Sequence, residues 1–447
     1  MSAHDLLYVV PKSTPPKVVR GEGVYLYTDD NKKILDGTGG AAVSSLGYGN
    51  HEVIDSMKTQ AEKLCYVHNM SFTNEPAEEL AHMLVSKNPD VFARAYFANS
   101  GSEAVESALK FVLQYWQLRG QPERCHFVSR KQSYHGNTLF ALGIGKMVPR
   151  RTPYINVYPK VTSYVDPCYT YRYQKEGETD EQYVYRLEKQ LEDEFLVVGP
   201  NRIAAFIAET VPGTCLGCTT AVDGYFKAVR RVCDKYDIIL ILDEVMCGLG
   251  RTGTYHAWEQ EGIAPDIQTN AKTLAAGYQP ISSVLIGHRI FKAFEESNVQ
   301  MANFHTYQAH PLACSAAVQV QKIVRRDKLV ERAAETGKYL GEKLHQTFDS
   351  HPHVGDVRGK GLFWGLEFVN DKKTKQWFDP QLKVAALVSK LGIKNGLFLN
   401  PGSGTYDGVH GDHIMVAPPY VITKEEVNSL ISILSKSIDE AIASLPN

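Results

Sequence analysis

Ile238-Ile239-Leu240-Ile241-Leu242-Asp243-Glu244-Val245-Met246-Cys247-Gly248-Leu249-Gly250-Arg251-Thr252-Gly253 is the stretch on which the fold turns. Five consecutive aliphatic residues, closed by a carboxylate and then by glycines, read as a short strand buried on both faces. Such strands belong to parallel sheets, and open sheets of that kind collect ligands beyond the carboxyl ends of their strands. Asp243 stands at that end. Taken alone, it could equally be a cap for the segment that follows.

Outward from this run, strand-like segments at 95–98, 126–129, 203–208 and 283–286 alternate with helical spacing at 75–85 and 102–117. The second helix carries Ala104, Leu109, Val112 and Trp116 on its apolar face. This alternation predicts an α/β domain with a largely parallel sheet. Past residue 315 the texture changes. Helices are expected at 316–324, 330–348, 382–390 and 425–443, the last opened by a capping box from Thr423 to Glu426, and 361–368 reads as a strand. This is a second, α+β domain. Near the N-terminus, 24–27 and 34–37 read as strands joined at Asp29-Asp30-Asn31. The polar, tyrosine-rich segment 167–195 reads as a surface excursion with its own helix. The expected division is an N-terminal segment, 1–65, joining the small domain, a large domain, 66–315, and a C-terminal small domain, 316–447.

Bulk properties bound the function. A chain of 447 residues exceeds what a single core sustains, and 43% hydrophobic with 22% charged residues is ordinary for a globular protein. A net charge of −2 gives no electrostatic case for nucleic acid or an anionic membrane. Apolar runs are too short to span a bilayer. The start, Met1-Ser2-Ala3-His4-Asp5, lacks a basic stretch leading into an apolar one, and Arg20 is the first arginine, so a cytoplasmic protein is expected. Of eight cysteines only Cys215 and Cys218 are close. A zinc or redox half-site needs a second pair, which is missing, so two reduced thiols are expected.

Four further segments carry chemistry. Lys272 lies among Ala271, Thr273, Ala275, Ala276 and Gly277, neighbours small enough to leave room for a ligand. Most lysines face water, but a partly buried one is a competent nucleophile. An amine to form a Schiff base and an acid to keep a pyridine nitrogen protonated are what pyridoxal 5′-phosphate requires, so Lys272 and Asp243 suit that cofactor. Asn99-Ser100-Gly101-Ser102-Glu103 follows a strand and opens a helix, where unpaired amides and a partial positive charge favour a phosphate. Ser100 and Ser102 add hydroxyls, although a plain serine cap has the same look. Tyr134, in Ser133-Tyr134-His135-Gly136, can stack on a flat ring. Thr306, in His305-Thr306-Tyr307, is placed like a phosphate-binding hydroxyl. A metal held by His305 and His310 lacks a third ligand, and no metal site is expected.

Together these segments resemble the class III, or omega-, aminotransferases of the fold type I pyridoxal-phosphate enzymes. The resemblance spans about residues 18–440. Its further landmarks are Tyr25-Leu26-Tyr27, Leu35-Asp36-Gly37, Gly277-Tyr278-Gln279-Pro280, His310-Pro311, Arg358-Gly359-Lys360-Gly361-Leu362 and Ala417-Pro418-Pro419. It implies a large domain built on a mostly parallel seven-stranded sheet plus a small α+β domain. It makes Lys272 the Schiff-base lysine and proton carrier, with Asp243 on the pyridine nitrogen. Val245 and Tyr134 would lie on the two ring faces, with His135 and Glu209 close by and Ser100, Gly101 and Ser102 at the phosphate. Thr306 would reach the neighbouring subunit's phosphate in a homodimer with shared active sites. An amine donor and a keto acid acceptor (pyruvate, 2-oxoglutarate or glyoxylate) are the implied partners. Decarboxylases, phospho-lyases and aminomutases share the pattern, and a non-catalytic scaffold would be expected to lose Lys272 or Asp243. Departures concern substrate. Thr210 replaces a proline after Glu209, Thr273 replaces a glycine after the lysine, Ala42 replaces a bulky aromatic, and 411–419 lacks an arginine found in dicarboxylate-binding members. Ala42, Tyr66, His68, Tyr169 and Arg358 are the candidate substrate contacts.

Overall fold

Side chains of a strand alternate between faces, and a computed structural model describing residues 5–11, 13–297 and 299–446 shows what each face meets. In the strand Ile239–Asp243, Ile239 and Ile241 share a core with Val105, Ala108, Leu109 and Val112 of the helix Gly101–Leu118. Leu240 and Leu242 share another with Phe226, Val229 and Cys233 of the helix Tyr225–Lys235 and with Ala313, Cys314 and Ala317 of the helix Pro311–Arg326. Every residue of this strand and of its neighbour Ile203–Glu209 is buried, which is why both read as unbroken apolar runs.

The sheet has seven strands in the order Phe92–Ala98, Ser282–Gly287, Ile267–Asn270, Ile239–Asp243, Ile203–Glu209, His126–Arg130, Thr162–Val165. Ser282–Gly287 runs antiparallel to both neighbours and the remaining pairs are parallel. A second, antiparallel sheet orders Val354–Lys360, Phe363–Phe368, Asp412–Val416 and Asn400–Ser403. A third joins Val18–Glu22, Tyr25–Thr28 and Lys33–Asp36, and Leu397–Phe398 adds to it in parallel. The helix Lys424–Ala443 begins with the Thr423–Glu426 capping box.

Three expectations need correction. Ile267–Asn270 and Thr162–Val165 are sheet strands that hydropathy did not reveal. The helix expected at 316–324 starts at Pro311, whose missing N–H suits the first helical position. The 167–195 excursion does carry a helix, Asp180–Val198, capped by Thr179, but it is no mere surface feature. Tyr169 and Tyr183 are fully buried, and Tyr183, Leu187, Leu191 and Phe195 belong to the core of the sheet. The expectation for the N-terminus rests mostly on residues 1–4, outside the described residues. Among the described residues no helix is long and apolar enough to cross a membrane.

Candidate active site

Register sets three polar residues side by side at the carboxyl edge of the sheet. Glu209 pairs with Asp243, and Asp243 with Thr269, across adjacent parallel strands. Asp243 continues the face of Ile239 and Ile241, the face covered by Gly101–Leu118. The N-terminus of that helix therefore lies over the row.

Three donors fix the Asp243 carboxylate. Oδ1 accepts from the Val245 amide and the Thr269 hydroxyl, each at 3.1 Å, and Oδ2 accepts from His135 Nδ1 at 2.8 Å. His135 is buried, and its Nε2 has no partner among the described residues. Glu209 accepts the Tyr134 amide at 3.3 Å. Burial, more than the neighbouring Asp243, lifts the Glu209 carboxyl from the ordinary glutamate range to about 7, with His135 and Arg130 opposing.

Lys272 follows the strand Ile267–Asn270 and sits at φ +42°, in the left-handed region. A non-glycine residue there costs about 1–3 kcal/mol and is kept only where the surroundings enforce it. Some of its surface opens onto a cavity, while protein encloses it on the other sides. Burial brings its ammonium down to about 8, against the opposing pull of Asp243 and Glu209.

Two glycines shape the floor. A Cβ on Gly101 would lie 2.9 Å from Val245 Cγ1, and one on Gly136, at φ +136°, would lie 2.9 Å from Ser102 Cα. Close approach of these turns is thus possible only without side chains. The Ser102 hydroxyl accepts the Asn137 amide at 2.9 Å, and the first amides of the helix point into the same space.

The cavity holds about 160 Å³ and is lined by Gly101, Ser102, Tyr134, His135, Glu209, Asp243, Val245 and Lys272, all expected at the site, together with Gly136, Val211, Met246 and Ala271. The last four lie within two positions of expected residues in sequence. Their small or apolar side chains gave no chemical signal, though their position just past strand ends or motifs could have flagged them.

Other expected residues lie elsewhere. Ser100 caps the helix, accepting the Glu103 amide at 3.2 Å, and does not line the cavity. Thr306, Tyr66 and His68 are exposed and gather away from the lining, with Tyr66 5.8 Å from Tyr307 and His68 5.5 Å from Phe304 between ring centroids. Ala42 is fully buried behind the cavity wall, in one cluster with Val211 and Met246. Tyr169 and Arg358 need correction as substrate contacts, because their polar atoms are spent inside the protein. The Tyr169 hydroxyl donates to Glu367. Arg358 pairs with Asp356 at 2.7 Å and Glu367 at 2.8 Å and donates to the carbonyls of Leu216 and Gly217.

A mostly parallel seven-stranded sheet flanked by smaller sheets is the architecture of the fold type I transaminases, and solved structures of that class superpose on nearly the whole chain. An (S)-enantioselective omega-transaminase from Thermomicrobium roseum is 34% identical, with a TM-score of 0.91 over 99% of this chain and 97% of that one. An omega-transaminase from Pseudomonas jessenii, solved in complex with PMP, is 30% identical with a TM-score of 0.90, over 96% and 93%. An uncharacterized aminotransferase of Schizosaccharomyces pombe is 63% identical over 441 residues, covering 99% of this chain and 96% of its own. Residues 9–438 match the family Aminotransferase class-III, and the chain belongs to that family.

Proposed function

We propose that the protein is a pyridoxal 5′-phosphate-dependent aminotransferase that moves an amino group from an amine or omega-amino acid to a keto acid such as pyruvate, 2-oxoglutarate or glyoxylate. The observation that carries this reading is the meeting of Lys272 and Asp243 in one cavity beneath a helix N-terminus. The donor set fits the cofactor. Asp243 offers an oriented carboxylate to a ring nitrogen, Lys272 offers an amine to an aldehyde, and the amides at Gly101 and Ser102 suit a phosphate. Tyr134 and Val245 supply walls for a flat ring. When bound, the cofactor supplies an electron sink for bond cleavage at the substrate carbon. Lys272 anchors it, then takes and returns the proton moved in the exchange, a task matched by an ammonium lowered to about 8. Glu209, lifted to about 7, holds or releases a proton near neutral pH beside this lysine.

The test is stoichiometric. With a panel of amine donors and the three keto acids, donor consumption will equal acceptor consumption. Turnover without any acceptor would mean a decarboxylase, lyase or mutase instead.

A homodimer is part of the proposal. Tyr66, Met70, Phe304 and Tyr307 are 39%, 65%, 36% and 59% exposed and stand near Thr306, an apolar patch of the kind that marks protein interfaces. Phe304→Glu with Tyr307→Glu will halve the sedimenting mass and weaken cofactor retention. A double variant that sediments like wild type would remove this patch from the interface.

A further inference from the structure

Substrates of the proposed reaction include acids, and the charge that receives their carboxylate has to be found among cations not already spent. Four arginines near the site are enclosed and donate to the protein's own acceptors, although Nε of Arg130 and both Nε and Nη2 of Arg251 have no partner among the described residues. Arg358 is paired as described, Arg172 pairs with Glu367 at 2.6 Å, Arg130 donates to the Glu209 carbonyl, and Arg251 donates to the carbonyls of Leu362, Ala417 and Pro418. All four are largely or wholly withdrawn from solvent.

Arg150 differs. It is exposed, on the short helical turn Val148–Arg151, and has no carboxylate partner among the described residues. One of its terminal nitrogens, Nη1, donates to the Tyr134 hydroxyl at 3.1 Å, and its guanidinium carbon lies 5.0 Å from that ring's centroid. Tyr134 is a wall of the cavity. The turn is held in place on both sides of Arg150. Arg151 donates to the Gly145 carbonyl at 2.8 Å and to the Tyr164 hydroxyl at 2.6 Å, and Val148 packs so closely on the 404–411 loop that a Cβ on Gly408 would lie 2.5 Å from its Cγ2. The guanidinium is thereby stationed against Tyr134, one of the residues lining the cavity, with most of its five donors free. The Tyr134 hydroxyl accepts from it and has no acceptor for its own proton among the described residues.

We propose that Arg150, with the Tyr134 hydroxyl, receives the carboxylate of the amino-acid or keto-acid substrate. A planar guanidinium takes a carboxylate through two parallel N–H···O bonds, and the phenol adds a third donor from the adjacent wall. Amines without a carboxylate make no use of the pair. The inference rests on the aminotransferase reading for the identity of the ligand as substrate, and on the geometry alone for carboxylate binding.

The experiment separates the two. In the holoenzyme, Arg150→Ala will raise KM for pyruvate and for alanine by about 10- to 100-fold, the loss of one charge-assisted pair. KM for 1-phenylethylamine, which has no carboxylate, will stay within about threefold, the range of an ordinary exposed substitution. Arg150→Lys will fall between, keeping charge and losing the planar fork. Equal weakening of both substrate classes would mean that Arg150 only steadies Tyr134, and no weakening of the acids would equally overturn the proposal. Calorimetric titration with propionate, which cannot react, gives an arm independent of turnover. Wild-type holoenzyme will bind it and Arg150→Ala will bind it at least about 10-fold more weakly. Equal binding by both overturns the inference, whereas propionate binding lost in the variant while no amine is turned over by wild type would sink only the aminotransferase reading.

Discussion

Lys272→Ala will fold and will lose turnover by about 10⁴-fold or more, since the proposed function gives this one side chain both the anchoring of the cofactor and the carrying of the proton. Its effect on stability has the opposite sign. Burial lowers the Lys272 ammonium from 10.5 to about 8. Between those values the unfolded chain binds more protons than the folded one, so stability rises with pH there. Below about 8 both states carry the proton and the full penalty of enclosing it applies. The apoprotein of the alanine variant will therefore melt above wild-type apoprotein at pH 7, with the gap narrowing from pH 8 to 10.5. The same shift governs loading. Only the neutral amine attacks an aldehyde, so the rate at which wild-type apoprotein captures pyridoxal phosphate will climb with a midpoint near pH 8. A midpoint above 10 would show that Lys272 is solvated, contrary to its enclosure. Residual turnover at the wild-type rate would show that another amine carries the reaction.

Asp243→Asn will lower kcat by about 10²–10³-fold, the scale on which removal of one preorganised electrostatic group acts in a closed site. The amide nearly matches the carboxylate in shape but carries no charge, so the contacts to Val245 and Thr269 have a near-isosteric replacement. The lost quantity is the negative charge that the proposed function sets against a ring nitrogen. Single-turnover measurements with one amine donor report this step without interference from the second half of the cycle. A variant that reacts within about threefold of wild type would mean that the His135 contact, not the charge, is the reason for an aspartate here.

The parts of this site that sequence reasoning reached are those with local signatures. Asp243 follows five aliphatic residues, and Lys272 sits among small ones. The strand between them escaped notice because most of its residues are polar and their bonds form only in the fold. Gln268, Thr269 and Asn270 are fully buried, yet they look like a loop in any hydropathy pattern. Trp258 Nε1 donates to the Gln268 side-chain Oε1 at 2.7 Å, Gln268 Nε2 donates to Asn270 Oδ1 at 2.8 Å, and the Thr269 hydroxyl donates to Asp243 Oδ1. Burial of polar groups is tolerable once they are bonded, and only the folded chain reveals the bonds. Thr162–Val165 was missed for a different reason, since an edge strand half open to solvent is short and mixed in character. Arg358 shows the reverse error. A landmark arginine invites a substrate role, but Glu367, Asp356 and the carbonyls of Leu216 and Gly217 engage it. Arg150 had no local signature, and its significance comes from a tyrosine sixteen positions earlier.

The parallel pairing of Lys33–Asp36 with Leu397–Phe398 also sets a schedule for biosynthesis. The Thr38 hydroxyl reaches the Phe398 carbonyl across a sequence separation of 360 residues. At ribosomal rates of about 5–20 residues per second, the first strands emerge roughly 20–70 s before the segment that completes their sheet. During that interval their exposed edge is open to any other extended chain nearby. The large sheet, whose strands all lie between Phe92 and Gly287, is complete before residue 397 is made and is free to form first. Nascent chains arrested before residue 397 should accordingly protect the central sheet from protease while leaving the N-terminal strands cleavable.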